Sequence, residues 1–127
     1  MFLLETIPGI GRTTARAMLA EIPDIQNFKN ARQLAAFAGL NPCQRQSGSS
    51  VNGQTRLSKI GSKRLRKTLY MPAIVATRWN PVIENLTNRL LQRGKCKMSA
   101  LGAAMRKLLH IVFGVLKNQQ PFIEKNA

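Results

Sequence analysis

The chain has 127 residues and is 44% hydrophobic, which fits one ordinary domain with apolar side chains enough for a single core. Twenty Lys and Arg against five Asp and Glu give a formal charge of +15, and no acid falls between Asp24 and Glu84 or between Glu84 and Glu124; such a surface repels itself until it neutralises a polyanion. No uncharged apolar run approaches the roughly 20 residues of a membrane span, and no secretory leader pattern is visible, so the expected setting is the cytoplasm, in association with the nucleoid.

In chain order, Phe2 to Thr6 has the pattern of a helix already under way, with Leu3, Leu4 and Ile7 apolar and no N-cap ahead of them. Pro8-Gly9-Ile10-Gly11 makes a tight turn, and Arg12 to Glu21 resumes helix with Ala15, Met18, Leu19 and Ile22 on one side, ended by Pro23. Asn30 caps a third helix carrying Leu34, Ala35 and Ala38, stopped by Gly39 and by Pro42 beyond it.

From Gly39 to Gly61 helical periodicity disappears, and a structureless stretch of that length in a small domain either is functional or hides an element. Asn52-Gly53, the preferred pair for a type I′ turn, predicts a small β-hairpin there. Ser62 is the expected cap of the next helix. Leu65, Leu69, Pro72 and Ala76 share one side of that helix, with Lys63, Arg64, Arg66 and Lys67 on the opposite arc and a kink at Pro72. Asn80-Pro81 opens a helix that ends near Gly94. The last helix carries Leu101, Met105, Leu108, Leu109, Val112, Phe113 and Leu116 as one stripe, read as core or as an oligomer interface, with Pro121 beyond its end.

The two cysteines, Cys43 and Cys96, lack CxxC spacing, and His110 is the sole histidine, so neither a zinc site nor a disulfide framework is expected. Two constellations carry possible chemistry. Ile7-Pro8-Gly9-Ile10-Gly11 between two short helices resembles the helix-hairpin-helix DNA-binding motif. Gly9 and Gly11 would let the backbone approach a phosphate, the amides opening the next helix would meet it, Thr13 or Thr14 would add a hydroxyl, and Arg12 and Arg16 a charge. Contact of that kind is to the sugar-phosphate backbone and largely blind to sequence. The alternative is an ordinary helical hairpin whose glycines only make the turn.

The second constellation is Gln46-Ser47-Gly48-Ser49-Ser50, with Arg45 ahead of it and Lys59 and the Lys63 to Lys67 cluster behind. A serine hydroxyl can attack a phosphodiester when its proton is removed and cations hold the developing charge. By residue type alone, a Ser-Gly in a polar loop is more often a turn former.

A resemblance covers nearly the whole chain. Leu4-Glu5-Thr6-Ile7-Pro8-Gly9-Ile10-Gly11, Ala31-Arg32-Gln33-Leu34-Ala35-Ala36-Phe37-Ala38-Gly39-Leu40-Asn41-Pro42, Ser47-Gly48-Ser49-Ser50, Leu57-Ser58-Lys59-Ile60-Gly61, Leu69-Tyr70-Met71-Pro72-Ala73 and Met105-Arg106-Lys107-Leu108 stand in a distinctive order. It resembles that of the C-terminal transposase domain of the bacterial insertion-sequence family numbered one-hundred-and-ten, related to the Piv and MooV invertases. The resemblance implies that a serine attacks DNA to form a covalent phosphoserine during strand exchange, within a homo-oligomer that uses a structured bridge RNA to choose its DNA. By position that serine is Ser47, with Ser49 and Ser50 as fallback candidates.

The resemblance also implies an N-terminal RuvC-like domain with an Asp/Glu/Asp/Asp site for Mg2+. The acids here, Glu5, Glu21, Asp24, Glu84 and Glu124, are too few and too scattered for a two-metal cluster. The chain by itself is therefore expected not to recombine DNA, as either an excised domain or a truncated reading frame.

The expectation is one mainly α domain. A helix-hairpin-helix start occupies 1–22, a serine-bearing loop with a small hairpin 39–61, and a body of three helices 62–120. Ser47 is the nucleophile, and double-stranded DNA is held by Gly9, Gly11, Arg12, Thr13, Arg45, Lys59, Lys63, Arg64, Arg66 and Lys67. The rivals are a non-catalytic DNA- or RNA-binding module and a passive assembly domain.

Overall fold

The computed structural model describes residues 2–40 and 48–123, with side chains for 3–40 and 63–123. Within them the chain is mainly helical: α1 (Phe2–Glu5), α2 (Arg12–Glu21), a 3-10 turn (Ile25–Asn27), α3 (Ala31–Phe37), α4 (Gly48–Trp79), α5 (Pro81–Gln92) and α6 (Lys97–Asn118). The side chains of α4 through Ser62 fall outside the described residues. Helix runs from Gly48, ahead of the cap expected at Ser62, and the Asn52-Gly53 pair of the expected hairpin lies within that stretch.

The helix ends follow from local chemistry. The Asn30 side chain accepts from the Gln33 amide at 3.0 Å to open α3. Past its end, Gly39 takes φ +74, Leu40 N–H reaches the Ala35 carbonyl at 2.8 Å and Gly39 N–H the Ala36 carbonyl at 3.0 Å. Gly94 closes α5 in the same way, with Lys95 N–H on the Leu90 carbonyl at 3.1 Å. The 3-10 turn has no counterpart in the sequence expectation; the Asp24 carboxylate accepts from the Gln26 amide at 3.0 Å and bends the chain there.

The core forms where these elements converge on α6, which packs against α4, α5, α3, α1 and the 3-10 turn. Ala104, Leu108, Leu109 and Val112 are fully buried, Met105, Val115 and Leu116 nearly so, and Leu101 and Phe113 pack partly buried against them, so the apolar stripe of α6 is core. Leu4, Ile7, Met18, Leu34, Leu65, Leu69 and Ile83 close over it from the other helices. By length and composition α6 suffices to cross a membrane, but half of its apolar window is buried within the bundle.

α4 is 32 residues, a rod of about 48 Å. Leu65, Leu69, Pro72, Ala73 and Ala76 face inward as their spacing predicts, and Pro72 sits inside the helix. Tyr70, Met71, Ile74, Val75 and Trp79 remain exposed on the other side. In α2, Ala15, Met18 and Ile22 are buried, while Leu19, expected with them, is 37% exposed.

Candidate nucleic-acid interface

The glycine turn is fixed from behind. Gly9 adopts φ +107, and a Cβ there would come within 3.0 Å of the Ala76 Cβ and 3.1 Å of the Pro72 carbonyl oxygen. Gly9 thus lets the turn press against α4. The Asn80 side chain, fully buried, locks the same place: its amide donates to the Pro8 carbonyl at 3.2 Å, while its oxygen accepts from the Val82 amide at 3.1 Å and the Ile83 amide at 3.5 Å. One side chain caps α5 and ties the hairpin to the α4–α5 corner.

Gly11 is different. It is exposed, and a Cβ added there would meet nothing within 4 Å. It is the N-cap of α2, and among the described residues no side chain bonds to the first-turn amides. Those amides and the positive end of the helix dipole therefore face outward, beside exposed Arg12, Thr13 and Arg16. The starts of α3 and α5, by contrast, are closed by Asn30 and Asn80.

The α4 cations divide in two. Lys63, Arg64 and Lys67 are exposed, whereas Arg66 is half-buried, its guanidinium lying where a Gly39 Cβ would be, 2.6 Å away. Arg66 thus covers the end of α3 instead of standing with the exposed row. Lys63, Arg66 and Lys67 rim a cleft of about 460 Å³ floored by Leu40, Leu101 and Met105. From Arg64 to Pro72, where the glycine turn meets α4, the rise along the helix is about 12 Å. The turn and the exposed cations share one rod at two separate stations. Arg45 and Ser47 lie outside the described residues, as do the side chains of Ser49, Ser50 and Lys59.

One group has no counterpart among the sequence-predicted site residues. Arg106 and Lys107 precede His110 by four and three residues, hence share its face of α6, and Arg32 approaches from α3. Burial, then the charges of Arg106, Lys107 and Arg32, hold the His110 imidazole below its ordinary value of 6.5. The signal that could have pointed to it is the interruption of the apolar α6 pattern by three basic residues. Among the described residues no three of His, Cys, Asp and Glu gather as a metal donor set, so the described part of this chain does not fit the Mg2+ that the resemblance implies.

A basic helical bundle thus presents an uncapped glycine turn and a row of exposed cations on a long helix to solvent. The profile of the family described as Transposase IS116/IS110/IS902 family matches residues 1–88, and the chain belongs to that family. A pilin gene-inverting protein of Moraxella bovis is 40% identical over 121 residues, 94% of this chain and 38% of that protein. The insertion element IS110 uncharacterized 43.6 kDa protein of Streptomyces coelicolor is 28% identical over 116 residues, 91% of this chain and 28% of that protein. The transposase for insertion sequence element IS1111A of Coxiella burnetii is 41% identical over 66 residues, 52% of this chain and 18% of that protein. The chain spans less than two fifths of the length of these relatives.

Proposed function

We propose that this chain is the DNA-holding, serine-bearing domain of a transposase or site-specific recombinase. The observation that carries the reading is membership of a transposase family over residues 1–88, a stretch that includes Ser47. The 40% identity to a pilin gene-inverting protein across nearly the whole chain supports the same class of DNA rearrangement.

In this reading the uncapped start of α2, with Gly11, Arg12 and Thr13, takes one backbone phosphate, and Lys63, Arg64 and Lys67 take others. Ser47, with Arg45 ahead of it and Lys59 further along the sequence, supplies the nucleophile. Its oxygen forms a bond to phosphorus as one sugar oxygen leaves, the serine proton passes to a base and the leaving oxygen takes up a proton. Cations beside the phosphate stabilise the charge that develops on it. Reversal with a different sugar hydroxyl rejoins the strand. The chain acts within a homo-oligomer, with a structured guide RNA as partner and Mg2+ held by a separate four-acid domain.

The test is Ser47→Ala in an assembled full-length relative with its DNA and RNA. Loss of strand exchange, together with a denaturant-stable protein–DNA adduct mapping to Ser47 in the parent, is the expected result. Undiminished exchange removes the nucleophile. An adduct on Ser49 or Ser50 moves the role to the fallback residue. Tight DNA binding with no adduct on any serine leaves a non-catalytic binding module.

A further inference from the structure

We infer that the cleft at His110, between α6 and the segment that follows it, is a second phosphate seat separate from the glycine turn, taking the phosphodiester backbone of a nucleic acid. The inference rests on the nucleic-acid reading above and adds a second contact face to it.

The cleft has a volume of about 230 Å³ and is lined by Lys107, His110, Gly114, Asn118, Gln120 and Phe122. Its wall is held in place by the backbone: the Phe122 amide donates to the Thr6 hydroxyl at 2.8 Å, which pins the segment after α6 across α1. On the other side, Lys117 donates to the Gln26 side chain at 3.1 Å and the Phe28 carbonyl at 3.5 Å, so the 3-10 turn and the segment leading into α3 are fixed alongside α6. A Cβ added at Gly114 would meet nothing within 4 Å, so the helix backbone is open to close approach at that point.

The chemistry of the lining is one-sided. Lys107 and His110 offer charged or proton-carrying groups, Asn118 and Gln120 offer amides, and Arg106 and Arg32 stand beside the imidazole. Among the described residues, the charges acting on His110 are Arg106 and Lys107 of its own helix and Arg32 of α3, all positive. Burial and the three cations around the imidazole disfavour its protonated form. A phosphate resolves that conflict: it offsets the three charges and gives a protonated imidazole an acceptor. A metal cation does neither, because it adds to the positive charge and competes with the proton for the imidazole nitrogen.

The consequence has a definite sign. A bound phosphate raises the His110 proton affinity, so binding takes up a proton and tightens as pH falls. His110 is the sole histidine in the chain, so its ring resonances report the site without ambiguity.

The experiment follows the imidazole by NMR against pH in the full 127-residue chain, free and at low salt with a short DNA duplex or an RNA hairpin of matched phosphate count. The proposal expects a titration midpoint about one unit higher in the complex, a tenfold coupling between proton and nucleic acid. The arm with the larger shift names the source of the phosphate. Arg32→Gln, on an exposed residue, should lower affinity several-fold more than Arg89→Gln, which removes an exposed charge from α5. Binding with an unchanged His110 midpoint, or equal losses in the two variants, overturns the second seat and leaves the proposed function standing. Absence of binding to both nucleic acids overturns both.

Discussion

Asn80 and Pro8 are 72 residues apart in the chain and joined by one hydrogen bond, the Asn80 amide donating to the Pro8 carbonyl at 3.2 Å. The same side chain caps α5, so the position of the glycine turn and the start of α5 depend on one buried residue. Asn80→Ala leaves the Pro8 carbonyl and two helix amides without their partner and should lower stability by about 1–3 kcal/mol. Asn80→Asp keeps the capping oxygen but loses the donor to Pro8, and should fall between parent and alanine variant. Chemical denaturation of the three proteins checks the order.

Gly9 and Gly11 are two residues apart and should respond oppositely. Gly9→Ala combines a left-handed backbone with approaches of 3.0 and 3.1 Å to α4, and should cost about 1–3 kcal/mol. Gly11→Ser meets no obstruction and supplies the missing cap, so stability should rise by a few tenths of a kcal/mol. The serine also competes for the amides assigned to phosphate, so DNA affinity should fall while stability rises. Paired denaturation and binding curves test the opposition; parallel changes would show that the turn has no part in binding.

His110 makes the free protein pH-sensitive. Its folded value lies below 6.5, so between that value and 6.5 the unfolded chain binds more protons and stability increases with pH. The melting temperature should be unaffected by this group above 6.5 and should decline as pH falls through the interval below it. His110→Asn should flatten that decline. A melting series of the two proteins from neutral pH to about 5, above the ordinary carboxylate range, isolates the effect.

Much of the fold was legible because its signals are local. Asn30, Gly39, Asn80-Pro81 and Gly94 mark helix ends by backbone chemistry that needs no tertiary partner, and the α6 stripe announces its own burial. What was not legible depends on approach between distant segments. Nothing in the turn says that Gly9 faces Ala76 while Gly11 faces open space, or that Arg66 leaves the cationic row to cover Gly39. Leu19 follows the apolar period of α2 yet lies at the edge of the packed face. The His110 group was hidden because Arg32 joins it only through the packing of α3 on α6.

The most direct measurement of the central claim, that this body holds DNA through phosphate neutralisation, is duplex affinity against salt concentration for the parent and a variant carrying Arg12→Gln, Lys63→Gln, Arg64→Gln and Lys67→Gln. With about six phosphates neutralised, the parent should lose roughly 10³-fold or more in affinity between about 50 and 200 mM salt. The variant's slope of log affinity against log salt should be shallower by about 0.9 for each phosphate it no longer neutralises. Salt-insensitive binding by the parent, or an identical slope and affinity in the variant, would contradict the account.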